Sequence, residues 1–118
     1  MNGMKKSTKT ARGLGFAALA LVALASAAEA EPVTLQLALK DHRFVPAELT
    51  APANQPVTID VSNQDSTPAE FESKTLRVEK VVAGNSKIIV QIRPLAPGRY
   101  RFYDDYHEDT TEGFLTVK

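Results

Sequence analysis

The chain carries two histidines, and one of them, His107, lies in Asp104-Asp105-Tyr106-His107-Glu108-Asp109, the densest run of side chains able to hold a metal. Just upstream, Tyr100 and Phe102 share a parity, and the two-residue period of a strand aims Asp104 to the same inward side. A carboxylate directed into a core needs a counterion or a metal. His107, three residues on, can fold back over that end across a short loop. A second acidic pair, Glu70 and Glu72, shares the face opposite Phe71, and adjacent carboxylates repel unless a cation or an arginine lies between them. The other histidine, His42, stands in Lys40-Asp41-His42-Arg43-Phe44-Val45-Pro46, where the first apolar stretch closes. Each feature also has a plainer explanation. The run 104–109 fits a solvated acidic loop, Glu70 and Glu72 fit an edge strand with its charges in water, and His42 fits a surface loop. Arg43 or Lys80 could serve as the counter-charge that makes Asp104 or Glu70 purely structural.

Hydrolytic chemistry finds no support. Ser62, Ser66, Ser73 and Ser86 sit in no G-x-S-x-G context, and nothing marks a nucleophile paired with a base. A domain this small also offers little room for a substrate cleft between two catalytic carboxylates.

The elements that must position these side chains are strands. Val33, Leu35, Leu37 and Leu39 alternate with Thr34, Gln36 and Ala38; Val57, Ile59 and Val61 alternate with Thr58 and Asp60; Ile88, Val90 and Ile92 alternate with Ile89 and Gln91. Residues 48–51, 76–82, 99–103 and 114–117 add further strand candidates. Turn signals separate them at Val45-Pro46, Ala51-Pro52-Ala53-Asn54, residues 63–68, Ala83-Gly84-Asn85 and Pro94-Leu95-Ala96-Pro97-Gly98. No segment keeps a 3.6-residue period. About seven short strands divided by Pro and Gly predict an all-β fold, an antiparallel Greek-key sandwich or small barrel.

Ahead of this domain, Lys5, Lys6, Lys9 and Arg12 precede an uncharged run over residues 13–28 that ends in Ala28-Glu29-Ala30. A basic start, a short apolar run and an A-x-A ending describe a secretory signal peptide, and the run is shorter than the ~20 residues of a spanning helix. The expectation is a leader over 1–30, cleavage after Ala30, and an exported domain over 31–118. Residues 31–118 hold ten Lys/Arg and thirteen Asp/Glu, a net charge of −3, and neither Cys nor Met. Disulfides, thiol redox chemistry, iron–sulfur clusters and covalent haem are excluded by composition. The acidic balance, with no basic cluster, argues against a nucleic-acid partner.

Pro97-Gly98-Arg99-Tyr100-Arg101-Phe102-Tyr103-Asp104-Asp105-Tyr106-His107 resembles the copper loop of the cupredoxins, in which P-G-x-Y-x-F-Y leads to a ligand Cys with a ligand His three positions later. Gly113-Phe114-Leu115-Thr116-Val117 is similar to that family's closing G-x-L-x-V strand, Phe44-Val45-Pro46 to its F-x-P opening, and Asn63 through Pro68 to the N-x-x-x-x-P ahead of its first ligand His. The resemblance covers nearly all of 31–118 and implies a cupredoxin-like β-sandwich.

Position by position, the ligand His is retained at His107, Asp104 stands in place of the ligand Cys, Ala69 in place of the first His, and Thr111 or Glu112 in place of the axial Met. A blue copper centre is excluded, since it depends on a Cu–thiolate bond. The donors left are Asp104 and His107, with Glu70 or Glu72 beside Ala69, and His42, Asp105 or Glu112. Such a nitrogen and oxygen set suits Cu(II), Fe(II)/Fe(III), Mn(II) or Zn(II) rather than Cu(I).

The patterns D-H-R-F-x-P, E-F-E-S, E-K-V-V and D-D-Y-H-x-x-T-T, at 41–46, 70–73, 79–82 and 104–111, resemble more narrowly the cupredoxin-like proteins of bacterial ferrous-iron uptake, the EfeO-type group. That resemblance implies a periplasmic protein that binds copper or iron and helps oxidise or deliver ferrous iron beside an inner-membrane iron permease or another periplasmic partner. Carboxylate ligands stabilise Fe(III) over Fe(II) and so favour electron release, with Tyr103, Tyr106 or a docked partner as the exit. The rival expectation is a metal-free scaffold or docking subunit. The two are distinguished by whether Asp104, His107 and Glu70 or Glu72 converge on one point.

Overall fold

In the computed structural model the described residues are 32–118; the leader expected over 1–30 lies outside them. The chain forms β1 (Val33–Lys40), β2 (Arg43–Val45), β3 (Glu48–Ala51), β4 (Val57–Asn63), β5 (Ala69–Ser73), β6 (Val78–Val82), β7 (Lys87–Ile92), β8 (Gly98–Asp104) and β9 (Glu112–Val117), with a 3-10 turn at Asp105–His107. They build two facing sheets, ordered β2-β1-β4-β7 and β3-β9-β8-β5-β6.

This is the expected all-β sandwich, with nine strands rather than about seven. The two additions are β2 and β5. The three residues of β2 include a single buried side chain, Phe44, too short a run to show a period. In β5 the buried Ala69, Phe71 and Ser73 alternate with Glu70 and Glu72, whose charges hide the pattern. Nor is β5 an edge strand, since it pairs with β6 from Ala69↔Val82 to Ser73↔Val78 and with β8 at Phe71↔Asp104 and Glu72↔Tyr103.

The sheets are also mixed rather than antiparallel. β1 runs parallel to β4, and β3 parallel to β9. A parallel neighbour requires a crossover, and here the chain leaves the first sheet after β2, contributes β3 to the second, and returns as β4.

Alternation decides what the sheets enclose. Leu37, Leu39, Val57, Ile59, Val61, Val90 and Ile92 face Leu49, Phe71, Val82, Phe102, Leu115 and Val117 in one buried core. At the end of that core nearest the 3-10 turn, three rings interlock. Phe71 and Phe102 stack at 5.2 Å, and Phe44 meets Phe102 edge-on at 5.0 Å. Gly113 makes room for this cluster, because a Cβ there would stand 2.6 Å from the Phe102 ring and 2.9 Å from the carbonyl of Ala47. The aromatic floor holds the ends of β5 and β8 in register, and Asp104 follows immediately.

Candidate metal centre

Strand parity carries Asp104 inward beyond Phe102, and the side chain is 1% exposed. Its two oxygens are fully engaged. Oδ1 accepts from the amides of Glu70 and Tyr106, each at 3.0 Å, and Oδ2 lies 3.0 Å from Nδ1 of His107. Asp104 thereby caps the 3-10 turn, ties it to β5 and orients the imidazole in one stroke. A carboxylate that accepts from Nδ1–H leaves the imidazole lone pair on Nε2, the arrangement of a carboxylate-backed metal ligand.

The second imidazole stands beside the first. The rings of His42 and His107 lie 4.5 Å apart between centroids, tilted by 42°. Both are accessible, with side-chain exposures of 47% and 39%. The His42 backbone is held from two sides: its amide donates to Asp65 Oδ2 at 3.0 Å, and its carbonyl accepts from Thr111 Oγ1 at 2.6 Å. Thr111 is itself fixed by the Asp104 amide, which donates to its carbonyl at 3.0 Å.

Partial burial pushes the Asp65 carboxyl up, but the amides of His42 and Asp41 and the nearby imidazoles outweigh it and hold the group below the usual 3.8. The sign follows from the lowered value: Asp65 stabilises the fold fully above about pH 3.8 and loses that contribution as acid protonates it below. Asp65→Asn is therefore expected to cost stability at pH 7 and much less near pH 2, as compared by denaturant unfolding at the two pH values.

Glu70 and Glu72 face the other way. Alternation in β5 turns them to the outer surface of the second sheet, where Glu72 is opposite Glu79 of β6. Candidate ligand oxygens of Glu70, Glu72 and Glu79 lie within 4.8 Å of one another. Desolvation, then the Glu79 charge, a hydrogen bond that the protonated Glu70 carboxyl donates to Asp105, and the charges of Asp105 and Glu72 raise the Glu70 carboxyl above its ordinary value. Tyr103, buried on this outer face, donates to Glu72 Oε2 at 3.1 Å. Burial, followed by that bond and the Glu72 charge, pushes its phenol up.

The expected donors therefore fall into two groups on opposite faces of one sheet: Asp104 and His107 with His42 at the inner end, and Glu70 and Glu72 with Glu79 outside. Glu112 belongs to neither, as it accepts from Arg101 Nε at 2.6 Å, while the same guanidinium reaches Glu108 at 3.3 Å. Neither expected counter-charge fills the space beside Asp104: Lys80 donates to the Ile89 carbonyl at 2.8 Å, and Arg43 is exposed. Asp65 was not among the expected residues. Its signal in the chain was the Asn63-Gln64-Asp65 spacing of a side-chain-bonded turn, and Asn63 Oδ1 indeed accepts from the Asp65 amide at 3.0 Å.

Residues 13–117 match the cupredoxin-like domain family. The chain belongs to that family. Among curated proteins, this cupredoxin-like chain is 37% identical over 83 residues to an uncharacterized protein of Rickettsia prowazekii (strain Madrid E), a stretch that covers 70% of this chain and 66% of that relative. Among solved structures it is similar to auracyanin A, a "blue" copper protein of Chloroflexus aurantiacus, with a TM-score of 0.65 and 20% identity over 75% of this chain and all of that one. It is similar also to the metal-binding domain of the Streptococcus pneumoniae D39 Cu(I)-exporting P-type ATPase CopA, with a TM-score of 0.62 and 14% identity over 77% and 99% of the two chains. At these identities the likeness is one of fold. A type-1 copper ion does not fit the donors of this cupredoxin-like chain, which has no cysteine. The donors it offers instead are two neighbouring imidazoles, one backed by a buried carboxylate, and a separate cluster of three carboxylates.

Proposed function

We propose that this cupredoxin-like chain binds a metal ion, Cu(II) or iron, through imidazole and carboxylate ligands, and assists the oxidation or delivery of ferrous iron in the periplasm. The observation that carries the metal reading is the pair of accessible imidazoles 4.5 Å apart, one of them backed at Nδ1 by a buried carboxylate. Nε2 of His107 and the His42 ring are the ligands this arrangement presents, with Asp104 acting from behind. Glu70, Glu72 and Glu79 offer a separate oxygen-only set that suits a harder ion. Copper held by the imidazoles would supply a one-electron couple, and Fe(II) would be the substrate or cargo. The EfeO-type resemblance supports the iron role and an inner-membrane permease as partner, and the basic start, short apolar run and A-x-A ending over 1–30 support export.

Titration of the purified protein with Cu(II) tests the site. One-to-one binding is expected, with His42→Ala and His107→Ala each weakening it roughly tenfold or more. Glu48→Ala is the control, since Glu48 is engaged with Arg99 at 2.7 Å on the surface. Unchanged affinity in both histidine variants removes the site. Mixing the copper-loaded protein with Fe(II) tests the iron role, which fails if oxidation is no faster than in buffer.

Two observations favour a second reading, a metal-free scaffold for a transport complex. Glu70 and Glu72 do not converge with Asp104 and His107 but lie on the opposite face of the sheet, with Glu79. Both oxygens of Asp104 find donors within the protein, so its burial requires no cation. Absence of Cu(II) and Fe(II) binding would leave that reading standing.

A further inference from the structure

We infer that Asp65 is a positioning residue that holds His42 beside His107 by stabilising a left-handed turn the sequence would otherwise disfavour. The inference rests on the metal reading above. β1 and β2 pair up to Lys40↔Arg43, so Asp41 and His42 alone make the connection. Both take positive φ, 53° and 57°. A two-residue hairpin turn of this kind is best served by Asn-Gly, because a Cβ in the left-handed region crowds the backbone. Here an imidazole occupies the position where glycine fits best, and its ring is thereby brought to 4.5 Å from His107. Strain kept at such a place signals a role for the side chain that bears it.

What holds the turn is the Asp65 carboxylate. Oδ1 accepts from the Asp41 amide at 2.7 Å and Oδ2 from the His42 amide at 3.0 Å, so one side chain engages both left-handed residues. Asp65 is in turn anchored, with its amide on Asn63 Oδ1 at 3.0 Å and its carbonyl accepting from the Asn85 amide at 2.8 Å. Two loops on either side of β4 are thus joined to give His42 one fixed place. A turn needed only to reverse the chain would call for neither the imidazole nor its anchor.

The test uses the full chain and four forms: wild type, His42→Gly, Asp65→Ala and the double variant. Relief of the left-handed strain should raise the melting temperature of metal-free His42→Gly by ~4 °C while its Cu(II) affinity falls about tenfold or more. Asp65→Ala should weaken Cu(II) binding about tenfold in the wild-type background and leave it unchanged when His42 is already glycine, since the effect is transmitted through that ring. Equal losses in both backgrounds, or no loss in either, would overturn the inference, as would a lower melting temperature for His42→Gly. A wild type that binds no Cu(II) would sink the metal reading alone. Positioning is then decided in the metal-free protein by NMR, where cross-relaxation between the His42 and His107 ring protons should be present in wild type and lost in Asp65→Ala; its persistence in the variant refutes the inference.

Discussion

Asp104→Ala is expected to lower stability by about 3–5 kcal/mol, because it strands three buried or half-buried donors at once. The amides of Glu70 and Tyr106 lose Oδ1, and Nδ1 of His107 loses Oδ2. No water replaces them readily at a position that is 1% exposed. For a domain of this size the loss corresponds to a fall in melting temperature of roughly 15 °C or more. Asp104→Asn separates the structural part from the chemical one. Its side-chain carbonyl can still accept from the two amides, so the turn and β5 stay joined and most of the stability is kept. Its NH2 group, however, now donates toward His107 Nδ1, which moves the imidazole proton to Nε2 and blocks the atom offered to a metal. The asparagine variant should therefore unfold at a denaturant concentration near that of wild type, yet bind Cu(II) roughly tenfold or more weakly. An asparagine variant with wild-type affinity would show that Asp104 serves the fold only.

Asn63→Ala is expected to cost about 2–4 kcal/mol, measured by urea unfolding. Asn63 closes β4 with its side chain 1% exposed, and its NH2 group donates to the carbonyls of Thr67, Val82 and Ala83 at 2.8, 3.3 and 3.2 Å. Truncation removes the donor to these three carbonyls and the acceptor of the Asp65 amide. Because Asp65 in turn holds the His42 turn, Asn63→Ala should also loosen the imidazole pair. Cu(II) affinity should thus fall along with stability, by less than in Asp65→Ala. Wild-type stability in this variant would refute the account of Asn63 as the clamp between the two loops.

Most of the sandwich was legible in local pattern. The alternation in β1, β4 and β7 reports burial on one face directly, since each strand is long enough to show its period. The same rule carried from Tyr100 and Phe102 aimed Asp104 inward, where the structure places it. Strands of three residues, or strands with charged outer faces such as β5, offer too few or too mixed positions for periodicity to speak. Parallel pairing of β1 with β4 and of β3 with β9 is invisible locally, because it depends on which sheet the intervening strand joins.

The candidate site divides along the same line. Residue types and spacing along the chain were enough to single out Asp104 and His107, three positions apart at the end of one strand, and to establish that no thiolate is present. They also marked Glu70 and Glu72 as a like-charged pair, but the period-two rule that aims Asp104 inward equally turns those two outward, once β5 is known to lie in the same sheet as β8. The meeting of His42 with His107 lies beyond any local pattern. It joins positions 42 and 107 through a left-handed turn that Asp65 and Thr111 hold from two other loops. Backbone alternation propagates along a strand and so can be followed from residue to residue, whereas hydrogen bonds between loops depend on where the packed sheets place them.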